Sequence, residues 1–180
     1  MSENSTMIRS MHDLGLAAWF GGSLMGAVGL NGATAKAEDP QERTRLSSLG
    51  WARWTPVQVG AVAIHAIGGL GLIGDNKRRV AADPGSAVNT KVKFCLTLAA
   101  AGVTLYSGVL GAKVKSMQDQ GAEGATEPSP NADPKLAAAQ KQLKSLQWAI
   151  PALTGVLIVL GAQQGEQQRD GRGLLDKFRS

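Results

Sequence analysis

Residues 14–35 read LGLAAWFGGSLMGAVGLNGATA, 22 positions without a single Asp, Glu, Lys or Arg. Three further stretches share this property: 54–74 (WTPVQVGAVAIHAIGGLGLIG), 94–112 (FCLTLAAAGVTLYSGVLGA) and 145–165 (SLQWAIPALTGVLIVLGAQQG). All 19 basic and 14 acidic residues fall outside them. Charges flank each stretch directly, as Asp13/Lys36, Arg53/Asp75, Lys93/Lys113 and Lys144/Glu166. A helix needs roughly 20 residues to cross about 30 Å of hydrocarbon. A soluble helix would carry charge on its wet face every few residues. The pattern therefore predicts an all-α fold, an integral membrane bundle of four transmembrane helices in a single domain, 1–180. The spans are expected at about 12–34, 54–74, 93–113 and 145–164.

The mean hydropathy of −0.06 averages these neutral runs with strongly polar connectors. The runs themselves are rich in Gly and Ala, which carry little apolar area and insert with less free energy than Leu. A soluble helical bundle with an Ala-rich core is the competing reading. The net charge of +5 has a membrane explanation, because Lys and Arg crowd the helix ends where they meet headgroups. No zinc-finger, helix-turn-helix or RNA-recognition pattern accompanies it, so nucleic acid is not an expected partner. The single cysteine, Cys95, excludes an intrachain disulfide and a CxxC site.

Between the spans, Asp39-Pro40 and Asp133-Pro134 each form an N-cap and first-turn pair. The first predicts a short amphipathic helix before span 2, with Trp51 and Trp54 in an interfacial belt and Pro56 in the first turn of the span. The second predicts one helix of about 30 residues running into span 4, kinked at Pro151. Residues 75–92 read as a loop with a turn at Asp83-Pro84-Gly85. Residues 116–132 (SMQDQGAEGATEPSPNA) have the composition of an exposed, protease-sensitive loop. Four spans put both termini on one side, and the Lys77-Arg78-Arg79 cluster at a helix end favours the cytoplasm.

Helices in lipid associate through close backbone approach, so small residues four apart mark contact faces. Such rows comprise Ala18, Gly22 and Gly26 in helix 1, Ala61, His65 and Gly69 in helix 2, and Thr104 and Gly108 in helix 3. Hydroxyls within the spans are expected to bond carbonyls one turn earlier.

His65 stands at the middle of span 2, where an ionisable group is costly and marks a functional candidate. Its alternatives are haem or copper ligation, a proton or quinone contact, or a neutral imidazole bonded to a neighbouring hydroxyl. His12, at the watery start of helix 1, is a second and weaker cofactor candidate. It lies about 16 Å along the axis from the midpoint of helix 1, at roughly 1.5 Å per residue. A site shared by both histidines is thus not expected unless the helices are shifted. No HxxxH, CxxC or paired-carboxylate motif provides a metal site or catalytic residues.

The run His12-Asp13-Leu14-Gly15-Leu16-Ala17-Ala18-Trp19-Phe20-Gly21-Gly22 resembles the first helix of small four-helix bacterial membrane proteins of the copper-resistance D type. In those, a histidine begins a span that continues to a tryptophan and paired glycines. The resemblance covers one helix and implies a metal or haem contact for His12.

The expected function is that of a non-catalytic, multi-pass protein of the bacterial inner membrane. It would serve as an accessory or structural subunit, with the bilayer and other membrane subunits or a second copy as partners, and without a cofactor. The alternative is a redox protein binding haem, metal or quinone through His65.

Overall fold

The computed structural model describes residues 3–82 and 84–167. They form α1 (Glu3–Met25), a π-helical turn (Gly26–Leu30), α2 (Asn31–Thr34), α3 (Pro40–Ala82), α4 (Pro84–Ser116) and α5 (Pro134–Gln167). Four helical segments, 5–34, 40–75, 87–116 and 134–164, are long and apolar enough to cross a membrane. The first is α1, the π turn and α2 run together, and the chain is an all-α, multi-pass bundle.

The helices outrun the neutral stretches that announced them. At 43 residues, α3 extends about 64 Å at roughly 1.5 Å per residue, twice a bilayer core. Its start is set by Asp39, whose carboxylate accepts a bond from the Gln41 N–H at 2.8 Å, with Pro40 in the first turn. The amphipathic segment and span 2 are therefore one helix. Pro56 lies in its interior rather than its first turn. The expected loop 75–92 is also helical over its described residues, up to Ala82 and again from Pro84. Asp133 caps α5 by accepting from the Lys135 N–H at 2.7 Å, and the helix runs on through Pro151.

In space α1 lies against α3 and α5, and α4 lies against the same two, closing a four-membered ring. Ser5 Oγ donates to Asp75 at 3.3 Å, and the Ala122 N–H donates to the Pro40 carbonyl at 3.1 Å. The beginning of α1 thus shares one end of the bundle with residue 75. The connectors 35–39 and 117–133 share the other.

The interior is made of Leu16, Trp19, Ala61, Ala100, Ile150 and Leu157. Large aliphatics face outward instead, among them Leu70, Leu105, Val109 and Val159. Only 11 % of the most apolar stretch of α4 is buried. So many bulky apolar side chains on the outside depart from the order of a water-soluble bundle and suit lipid.

The small-residue rows are partly corrected. Ala61 is buried, Ala18 packs on the core, and Thr104 accepts a bond from Trp19 Nε1 at 3.1 Å. Gly22 and Gly26 receive the rings of Trp54 and Trp51 rather than a helix backbone. These tryptophans accordingly lie against helix 1, with Nε1 of Trp54 on Gln58 and that of Trp51 on Asn31. Gly108 faces outward, and a methyl group added there would meet nothing within 4 Å, so it is no packing contact. Gly108 alone of its row faces lipid, which tolerates a small residue as readily as an interface does.

The 116–132 segment is docked rather than exposed. Gly121, Ala122, Gly124, Ala125 and Thr126 are buried. The segment is held through Thr44 Oγ1 to the Gln118 carbonyl at 2.7 Å and Gln140 Nε2 to the Gly124 carbonyl at 3.2 Å. Gly121 adopts φ 70°, and a Cβ there would fall 3.0 Å from Pro40, so glycine meets both demands.

Polar side chains also cross between helices. Asn31 donates to Gln147 at 2.9 Å and accepts from Trp51 Nε1 at 2.9 Å and Ser47 Oγ at 3.2 Å. The expected back-bonding holds for Thr104 and Thr154, each 2.8 Å from the carbonyl four residues earlier.

Candidate functional site

Two glycines bring α1 and α3 into backbone contact. A Cβ at Gly15 would lie 2.6 Å from the Ala61 carbonyl oxygen and from the His65 nitrogen. A Cβ at Gly68 would lie 2.5 Å from the His12 nitrogen. Real Cβ atoms cannot sit that close, so this helix pair exists only because both positions lack one.

The register that results juxtaposes the two histidines, contrary to expectation. Their ring centroids are 4.2 Å apart with planes tilted by 39°. Helix 1 begins at Glu3, so His12 is more than two turns inside it and reaches the level of Gly68 and Gly69. Comparing the midpoints of neutral runs placed the helices at equal depth, whereas the glycine contacts shift them.

His65 is 3 % exposed, and its Nδ1 lies 3.0 Å from the His12 carbonyl oxygen. A carbonyl can only accept, so Nδ1 carries the proton and donates. The bond partner is a backbone carbonyl, not the neighbouring hydroxyl expected of a packed histidine. His12 Nδ1 lies 2.9 Å from the Asp13 carboxylate and donates in the same way. In the neutral form of either ring this leaves Nε2 as the nitrogen with a lone pair to offer a ligand. Trp19 packs behind the pair, its ring edge-on to His65 at 6.0 Å.

Both rings line a cavity of about 780 Å³ to which all four spans contribute. Apolar wall comes from Leu16, Leu70, Ile73, Phe94, Leu98 and Leu157. Arg9, Asp13, Thr90, Lys93 and Gln164 supply polar groups, and Lys93 Nζ donates to Gln164 Oε1. These polar residues stand where the neutral runs meet charged sequence. The volume falls in the range of small-molecule sites.

Among the described residues, no three His, Cys, Asp or Glu side chains gather into a metal-binding group. Met25 and Cys95 are exposed, and neither lines the cavity. A porphyrin ligated by both histidines would have to enter between two rings already in stacking contact, and 4.2 Å leaves no slot for it. The pair suits hydrogen bonding to an organic head better than joint ligation of haem.

Sequence reasoning found both histidines but passed over Gly15 and Gly68 as contacts and Arg9, Lys93 and Gln164 as lining. Lys93 and Asp13 stood out only as charges that bracket neutral runs.

No protein-family model matches this chain, and comparison with curated proteins and with solved structures likewise finds no match.

Proposed function

We propose that this chain is a multi-pass protein of the bacterial cell membrane that binds a small amphipathic molecule drawn from the bilayer. The observation that carries the reading is the His12–His65 pair, whose Nε2 atoms have no hydrogen-bond partner among the described residues and lie beside a cavity of about 780 Å³. In neutral imidazoles those nitrogens accept a bond from a ligand hydroxyl; once protonated they donate to a ligand oxygen. The ligand's apolar part would lie along Leu70, Phe94 and Leu98.

This takes up the ligand-binding role expected of His65, with a quinone or another lipophilic organic molecule ahead of haem or copper. The contact role given to His12 is the one the first-helix resemblance implies. It also stands ahead of a purely structural subunit role, because the glycine pair spends its close approach on bringing two imidazoles together. Both termini are assigned to the cytoplasm on the strength of the Lys77-Arg78-Arg79 cluster.

The test is extraction of the full chain in mild detergent, followed by mass spectrometry of the molecules that remain bound. A stoichiometric amphiphile should accompany the wild type and be lost in His65→Ala. A wild type carrying nothing beyond detergent and bulk lipid refutes the reading.

A further inference from the structure

Resting on the ligand-binding reading above, we propose that the cavity selects amphiphiles whose head is an oxyanion, a carboxylate or a phosphate, held between Arg9 and Lys93. The charge balance of the lining points there. Arg9 and Lys93 are its two basic residues, and Asp13 is its one carboxylate among the described residues. The Asp13 side chain is 65 % exposed and already accepts a bond from His12.

Neither cation forms a direct ion pair among the described residues, and Asp13 is the carboxylate whose field reaches Lys93 from farther away. An ammonium group has three donors, and that of Lys93 gives one to the neutral amide oxygen of Gln164. Arg9 Nε is buried with no hydrogen-bond partner among the described residues. A buried donor left unpaired costs free energy, and an oxyanion arriving between the two cations would satisfy it. Both residues line the same cavity as Leu70, Phe94 and Leu98, which give it an apolar wall for the tail. An uncharged head would meet the wall equally well but leave the cations unbalanced.

Equilibrium binding of radiolabelled oleate and oleyl alcohol to the detergent-purified full chain separates these cases. Wild type should bind oleate at least about tenfold more tightly than the alcohol, the equivalent of one good charge interaction. Lys93→Gln and Arg9→Gln should each weaken oleate by about tenfold while leaving the alcohol unchanged. Lys93→Arg should restore oleate binding, which separates loss of charge from loss of fold. Displacement of oleate by dioleoyl phosphatidic acid identifies a general oxyanion site that phospholipid can fill; oleate binding without displacement identifies a free carboxylate site. Equal affinity for oleate and alcohol, or oleate affinity unmoved in both Gln variants, overturns the oxyanion proposal while the cavity reading stands. Failure of both probes to bind counts against the cavity reading as well.

Discussion

Gly68 of α3 lies against the backbone of His12, so close that a methyl carbon there would be 2.5 Å from the His12 nitrogen. This one contact fixes the axial register of α1 on α3 and with it the meeting of the two imidazoles. Structure and proposed function therefore share a single steric requirement.

Gly68→Ala and Gly15→Ala should each force the helices apart and destabilise the bundle by about 1–3 kcal/mol, the usual cost of overpacking. Gly21→Ala and Gly108→Ala, where nothing lies within 4 Å, should change stability by less than about 0.5 kcal/mol. Unfolding in mixed micelles by titration with a denaturing detergent measures the difference. Equal effects at all four positions would refute the backbone contact.

Asn31 joins α2 to α3 and α5 through three side-chain bonds. Asn31→Leu should leave the Trp51 N–H, the Ser47 hydroxyl and the Gln147 amide short of partners, at a cost of about 1–3 kcal/mol. The same unfolding assay reads this, and Trp51 fluorescence should shift as its N–H loses its acceptor. A neutral Asn31→Leu variant would show that water replaces the missing bonds.

The 117–133 connector should resist limited proteolysis in the folded chain, because its middle is buried against α3 and α5. Thr44→Val keeps the shape of the side chain but removes its 2.7 Å bond to the Gln118 carbonyl. Cleavage within the connector should then rise several-fold at an unchanged global stability, to within about 1 kcal/mol. Rapid cleavage of the wild type at the same sites would contradict the docking.

Trp19→Phe should preserve most of the packing but lose the bond to Thr104, costing about 1 kcal/mol. It should also alter ligand retention less than His65→Ala does, since Trp19 supports the site without contacting the ligand's head. Copurified ligand measured for the two variants side by side checks the order.

The spans were legible because lipid forbids charge, and the neutral runs record that prohibition directly. Helix ends were less so. Segments such as QERTRLSSL and DNKRRVAA are built largely of residues that favour or tolerate helix, so charge marks where α3 leaves the hydrocarbon and not where it stops. His12 was misplaced for the same reason, since helix 1 begins nine residues before it. The rows of small residues identified Ala61 and Thr104 but also Gly108, because lipid and protein accept a small residue alike. The docked connector has the composition of disorder. Its order comes from bonds to the side chains of Thr44 and Gln140 and the backbone of Pro40, contacts to which its own residues give no clue.

The chain contains two histidines, so ¹⁵N-histidine labelling reports on the site alone. Nitrogen NMR of the detergent-purified protein should show protonated Nδ1 in both rings, with Nε2 resonances that move when the copurifying amphiphile is returned to stripped protein. Rings protonated at Nε2 alone, or Nε2 signals indifferent to that addition, would contradict a ligand in the cavity that bonds to His12 and His65.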